Sequence, residues 1–176
     1  MSLSPDHESL FKTWLEDHQG IVVKIARSFT ATSVDCDELQ QELLLQLWIS
    51  AKSFTGQAKE STWIYRVCLN TAMTWRRGTE RREKRIDPGM DIEQAVTQTS
   101  SPADSASDRE MLDKLYAAIH ALKEGDRALL LLSLDGVAYR EIGDITGLTE
   151  NHVGVALTRA RQRLGKIMKG ITNELE

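Results

Sequence analysis

Residues Tyr139–Leu164 read YREIGDITGLTENHVGVALTRARQRL, and this stretch decides the fold. Tyr139 to Thr146 has the spacing of a short helix, Gly147 ends it, and Leu148 is an apolar residue in the turn. Thr149 is a capping residue for a second helix that begins at Glu150. The pattern is helix, tight turn, helix. Gly143 supplies a small residue where the two helices cross. Ile142, Ile145, Leu148, Val153 and Leu157 supply an apolar set for packing them at a steep angle, as in a helix-turn-helix. In that motif the first residues of the second helix reach base edges in the major groove, here Glu150, Asn151, His152 and Val155. Arg159, Arg161, Arg163, Lys166 and Lys169 follow with no acid among them. The plainer alternative is a structural helical hairpin whose cations complement the helix dipole.

Outward from this stretch the same grammar holds. The chain of 176 residues has three prolines and eleven glycines, and 41% of it is hydrophobic. Leu, Ala, Glu, Arg and Gln fill the long intervals, so an all-α fold is expected. Amphipathic stretches fall at 7–30, 35–53 and 60–85, and again at 108–123, 125–135, 138–146 and 149–170. Between the two sets lies a segment rich in Ser, Thr and Pro with no helical period. It reads as a linker at 87–106, separating a domain at 1–86 from one at 107–176.

The net charge of −4 hides a division into blocks: residues 1–58 carry −4, 59–86 carry +5, 87–113 carry −6 and 114–176 carry +1. A basic segment beside acidic ones suits a face for phosphates next to surfaces for something else, although a charge run is commonly a solvated face. Cys36 and Cys68 lack a CxxC spacing and the four histidines are scattered, so no disulfide framework, metal site or cofactor is expected. No apolar run reaches the roughly eighteen residues of a membrane span, and the first residues do not read as a signal peptide, which leads us to expect a cytoplasmic protein. The phosphate-loop, zinc-protease and nucleophile-elbow motifs are absent, so no catalytic residues are assigned.

In the second stretch Leu39, Leu43, Leu47 and Ala51 recur every fourth residue with Leu44 and Trp48 beside them, a broad stripe expected in the core. Glu38, Gln41 and Glu42 share another side, which on spacing alone reads as solvated. In the third stretch Ile64, Val67, Cys68, Thr71 and Trp75 are expected to be buried, with Arg66, Asn70, Met73 and Arg77 on a different side. Cations, an amide and the nearby aromatics Trp63 and Tyr65 are what a helix needs to hold phosphates and stack unpaired bases. Either aromatic could equally well be core packing.

These motifs together resemble the extracytoplasmic-function sigma factors, the smallest members of the sigma-70 family. The first domain carries the resemblance in DCDELQQELLLQLW (35–48), in Phe54-Thr-Gly56, in Thr62-Trp63-Ile-Tyr65-Arg66, and in Asn70 with the arginine tail. The second carries it in LLLLSLDG (129–136), in Tyr139-Arg-Glu-Ile142, in Val153 and in Thr158-Arg-Ala-Arg161-Gln-Arg-Leu164.

The resemblance implies a chain that lends promoter recognition to RNA polymerase and is not an enzyme. Asp35, Glu38, Leu39, Gln41, Glu42 and Leu45 then fall where the family grips the clamp coiled coil of the polymerase's largest subunit. Lys59, Trp63, Arg66, Asn70, Arg76 and Arg77 fall where it binds and opens the −10 element, and the connection 53–62 matches the loop that captures a flipped base. Glu150, Asn151, His152, Val155, Thr158, Arg159 and Arg161 fall on the domain that reads the −35 element and meets the polymerase flap region. An anti-sigma factor is the implied regulator. The sequence departs from the pattern in two places: Ser61 stands where many relatives have arginine, and Gly154, Val155 and Ala156 stand where a basic, small, basic trio is frequent. Small residues there imply either a closer approach of the helix to the groove or the loss of a phosphate contact. The alternative reading is a dimeric helix-turn-helix repressor or activator that is not a polymerase subunit.

Overall fold

The computed structural model describes residues 5–83 and 106–173, and the expected linker at 87–106 lies outside them apart from its last residue. Among the described residues the secondary structure is seven helices and no strand. They form two compact units.

The first unit contains α1 (Pro5–Phe29), α2 (Ser33–Ala51) and α3 (Glu60–Glu83). The four-residue stripe of α2 is buried as expected, with Cys36, Leu39, Leu43, Leu47 and Ala51 facing inward. Leu44 and Trp48, expected in the core with them, are only half-buried. Trp48 sits at the rim, where its ring meets His7 (centroids 4.7 Å apart) and the edge of Phe11 (5.0 Å), and its carbonyl accepts a 2.9 Å bond from His7 Nε2. An indole is large enough to seal such an edge without entering the core.

The buried side of α3 also differs from the expected one. Ile64, Tyr65, Cys68, Leu69 and Ala72 are buried, whereas Val67, Thr71 and Trp75 are half-buried. The shift follows from the partner. α3 packs chiefly on α1, whose Trp14, Ile25 and Phe29 are almost wholly enclosed, and Tyr65 and Leu69 are enclosed in the same unit.

The second unit contains α4 (Ala106–His120), α5 (Glu124–Leu134), α6 (Tyr139–Thr146) and α7 (Glu150–Asn173). Ala128 to Leu132 are buried in unbroken succession, so α5 is enclosed on all sides at its middle, as a helix that is apolar all round must be. α7 packs against α4, α5 and α6. At the foot of α5, Arg127 has no exposed surface. Its Nε donates to the Ile119 carbonyl (3.2 Å), and a terminal nitrogen donates to the carbonyls of Leu122 (2.9 Å) and His120. These acceptors lie at and just beyond the last turn of α4, where backbone carbonyls have no partner within their own helix. A side chain of α5 thus caps α4.

Replacing Arg127 with methionine removes a donor from the enclosed carbonyls of Ile119 and Leu122 and from the partly buried carbonyl of His120, a loss of about 2–4 kcal/mol. Hydrogen exchange of α4–α7 amides should accelerate accordingly while α1–α3 stay unchanged. Lysine should recover only part of this, because it lacks the planar fork. Unaltered exchange in α4–α7 would show that the cap contributes little.

Candidate functional site

The turn between α6 and α7 is built on two glycines with different tasks. Gly147 has φ +77° and its amide returns to the Gly143 carbonyl at 2.8 Å, a left-handed cap that a residue with a side chain adopts only with strain. Gly143 lies where a Cβ would stand 2.6 Å from the backbone oxygen of Leu148, so only a hydrogen fits. The Thr149 hydroxyl accepts the His152 amide at 3.4 Å, a long N-cap bond at the expected residue. Ile142, Val153 and Leu157 are fully enclosed, whereas Ile145 is half-buried and Leu148 is 38% exposed, because the turn carries Leu148 past the seam between the helices.

The helix-turn-helix leaves Glu150, Asn151, His152, Val155, Thr158, Arg159 and Arg161 all exposed on α7. Their surroundings are not alike. Thr158 donates its hydroxyl back to the Gly154 carbonyl at 2.9 Å. Arg161 donates to the Ser133 hydroxyl at 2.7 Å, and Arg163 pairs with Asp126. The basic run seen in sequence is therefore divided: two of its arginines tie α7 to α5. Gly154 does not face open space on all sides, since a Cβ there would touch the Tyr139 ring at 3.5 Å, an ordinary contact distance.

On α2, Glu38 and Gln41 are exposed, Leu45 is 50% exposed, and Asp35 and Glu42 are half-buried. Leu39 does not belong with them. It has no exposed surface, because the four-residue repeat that includes Leu43 and Leu47 turns it into the core. Sequence reasoning missed two members of the outer stripe, Val34 and Ile49, exposed to 66% and 49%. The signal was present: 34, 38, 41, 45 and 49 keep the three-and-four spacing of one helix side.

On α3, Trp63, Arg66, Asn70 and Arg77 follow Lys59 at the same spacing and so line one side. Arg76 lies off this line and is paired with Glu80 at 2.9 Å on its own helix. Tyr65 is core, which closes the stacking alternative for it. Trp63 is half-buried; its Nε1 donates to the Ser50 hydroxyl at 3.3 Å and its ring meets Phe54, which in turn meets the enclosed Trp14. The rings fix the start of the 53–62 connection against α1 and α3. Sequence reasoning also missed a groove of about 390 Å³ in which Glu42 and Gln46 of α2 face Asn70, Thr71, Thr74 and Trp75 of α3. Gln46 Nε2 donates to the Glu42 carboxylate at 2.9 Å within it.

Burial pushes the Cys68 thiol up to about 12, so it stays protonated and serves as core. Among the described residues no group of three or more His, Cys, Asp or Glu is placed to hold a metal ion, and no helix is long and apolar enough to cross a membrane.

Residues 5–82 match Sigma-70 region 2 and residues 112–164 match Sigma-70, region 4, together about three quarters of the chain. Among named proteins, the chain is 28% identical over 168 residues to the ECF RNA polymerase sigma factor SigG of Mycobacterium tuberculosis (strain ATCC 25618 / H37Rv). That match takes in 83% of this chain but 45% of SigG, so the chain spans about half the length of that relative. It is 28% identical over 139 residues to the ECF RNA polymerase sigma-E factor of Escherichia coli (strain K12), covering 75% of this chain and 73% of that one. In fold it is similar to the sigma factor RpoE in complex with the anti-sigma factor NepR from Bartonella quintana. There the TM-score is 0.73 at 22% identity over 90% of this chain and 96% of that one. It is also similar to CnrH in complex with the cytosolic domain of CnrY, with TM-score 0.65 at 19% identity over 93% and 90%.

The two α6–α7 glycines should respond oppositely to alanine. Gly143→Ala forces a methyl onto a backbone oxygen and should cost about 1–3 kcal/mol. Gly154→Ala meets only ordinary contact and should stabilise by up to about 1 kcal/mol through helix propensity. Urea unfolding of the two variants gives the comparison; equal midpoints would overturn it.

Proposed function

The chain belongs to the sigma-70 family, as an extracytoplasmic-function member, and on that premise we propose that it is a transcription initiation subunit that carries core RNA polymerase to specific promoters. The observation that carries this reading is the succession, in one chain, of sigma regions 2 and 4, the second built as a helix-turn-helix. The chain acts in the cytoplasm and works by binding rather than by catalysis.

In this reading 1–86 is the sigma-2 domain, 87–106 the linker and 107–176 the sigma-4 domain. The outer stripe of α2, with Glu38, Gln41 and Leu45 and with Glu42 beside it, meets the clamp coiled coil of the polymerase. Acidic and amide groups interleaved with exposed Val34, Leu45 and Ile49 suit a basic partner that also covers apolar surface. The α3 line from Lys59 to Arg77 holds the −10 strand, with Lys59, Arg66 and Arg77 on phosphates and Trp63 as the stacking platform. Extracting bases from the duplex costs a few kcal/mol, which stacking and phosphate contacts offset. The exposed side of α7 reads the −35 element, and the second domain meets the flap region. Regulation by an anti-sigma factor is supported by the relatives of like fold, two of which were solved in such a complex or with a partner's cytosolic domain.

Run-off transcription with purified core polymerase on genomic DNA tests the reading as a whole: discrete transcripts that require this chain are expected, and their absence would count against it. Two variants test its parts. Glu42→Lys should weaken binding to core polymerase by about tenfold or more, since it sets like charges against each other; unchanged affinity in titration would remove Glu42 from that surface. Trp63→Ala should abolish permanganate reactivity of −10 thymines while promoter binding is largely kept. Trp63→Phe, which keeps a ring against Phe54, should retain part of the opening. Wild-type reactivity in the alanine variant would make Trp63 a packing residue only.

A further inference from the structure

On α7 a single exposed aliphatic side chain is surrounded by polar ones. Val155 is 51% exposed, and its neighbours one turn away, Asn151, His152, Thr158 and Arg159, are exposed as well. The helix gains nothing locally from this residue. A β-branched side chain lowers helix propensity, and exposed apolar surface contributes no burial. What valine does offer is stiffness: in a helix it holds one χ1 rotamer, so its two methyl groups stand in a fixed place with little entropy left to lose on contact.

The neighbourhood enlarges the apolar spot. Thr158, one turn on, has committed its hydroxyl proton to the Gly154 carbonyl, so it offers no donor outward and its methyl can join an outside contact. Arg161 and Arg163, the next cations, are engaged with Ser133 and Asp126 on α5. The middle of the exposed side thus presents methyl groups with no donor or acceptor of their own, flanked by an amide, an imidazole and one guanidinium.

In the major groove every base presents hydrogen-bonding groups, and thymine alone adds a methyl group, at C5. A donor or acceptor placed against this spot would lose water and gain no partner. We infer that Val155, supported by the Thr158 methyl, selects thymine in the upstream promoter element through its C5-methyl group. The inference rests on the reading of the chain as a promoter-recognition subunit and specifies what one part of its surface recognises.

Deoxyuridine tests it, since it keeps every hydrogen-bonding group of thymine and lacks only the methyl. The probe is the strongest promoter recovered in run-off transcription, prepared as a duplex in which each upstream thymine is replaced singly by deoxyuridine. Binding is measured with the full chain assembled on core polymerase. One or two positions should lose about three- to fivefold in affinity, the worth of one buried methyl. Val155→Ala, which favours the helix and leaves the core untouched, should lose a similar factor on thymine DNA and become indifferent to deoxyuridine at that position. Transcription that depends on this chain, with no effect of deoxyuridine at any upstream position, overturns the inference and leaves the promoter-recognition reading intact. So does deoxyuridine sensitivity that persists undiminished in Val155→Ala. Absence of any transcript dependent on the chain overturns both.

Discussion

The second unit depends on one cation placed where no water reaches it. Arg127 gathers the terminal carbonyls of α4 and thereby fixes the angle at which α4 leaves α5. A hydrophobic residue of similar length would fill the same space but withdraw the guanidinium donor from each, although the Leu122 amide would still reach the Ile119 carbonyl at 3.1 Å; a buried carbonyl left without a donor costs about 1–3 kcal/mol. Everything later in the chain inherits this setting. α5 is wrapped by apolar neighbours, α7 crosses it, and Arg161 and Arg163 fasten α7 from outside through Ser133 and Asp126. These outer ties are partly exposed and individually weak. They matter as a set, because they act on a helix whose inner side is already seated by Val153, Leu157 and Ala160.

In the first unit the equivalent constraint is aromatic. Trp14, Phe54 and Trp63 meet edge to face at 5.3 and 5.7 Å, joining α1, the start of the 53–62 connection and α3. Each such pair contributes about 0.5–1.5 kcal/mol beyond the area it buries. Their collective effect is to give Trp63 a defined orientation: the Ser50 hydroxyl takes its indole nitrogen and Phe54 takes part of its ring. α2 is organised on a different principle. Its inner side is a ladder of Leu39, Leu43 and Leu47, and its outer side sets Glu38 and Gln41 between exposed Val34 at one end and Leu45 and Ile49 at the other, so apolar surface remains uncovered at both ends of that side.

Much of this was legible in the amino-acid sequence because it depends on neighbours along the chain. The inner stripe of α2, the Thr149 cap and the glycines of the α6–α7 turn follow from periodicity and from backbone sterics, which need no knowledge of a partner. What was not legible depends on which helix lies opposite. Trp63 and Tyr65 are two residues apart and chemically alike, and only the packing of the helices around α3 decides that Tyr65 goes inward. Leu39 belongs at once to the motif shared with the family and to the buried repeat, and the burial takes precedence. Arg127 looks like any charged residue near a helix start until the end of α4 is placed beside it. Arg161 and Arg163 are indistinguishable from Arg159 as letters, and only the proximity of α5 separates them.

The α6–α7 motif keeps its inner and outer residues apart. Val153, Leu157 and Ala160 seat the helix, and Asn151, His152, Val155 and Arg159 take no part in doing so. Exposed positions of this kind tolerate exchange at a cost of about half a kcal/mol. The outer residues therefore form a replaceable alphabet on a fixed type bar. A lineage, or a designer, can rewrite which DNA this scaffold prefers one letter at a time without passing through an unfolded intermediate sequence.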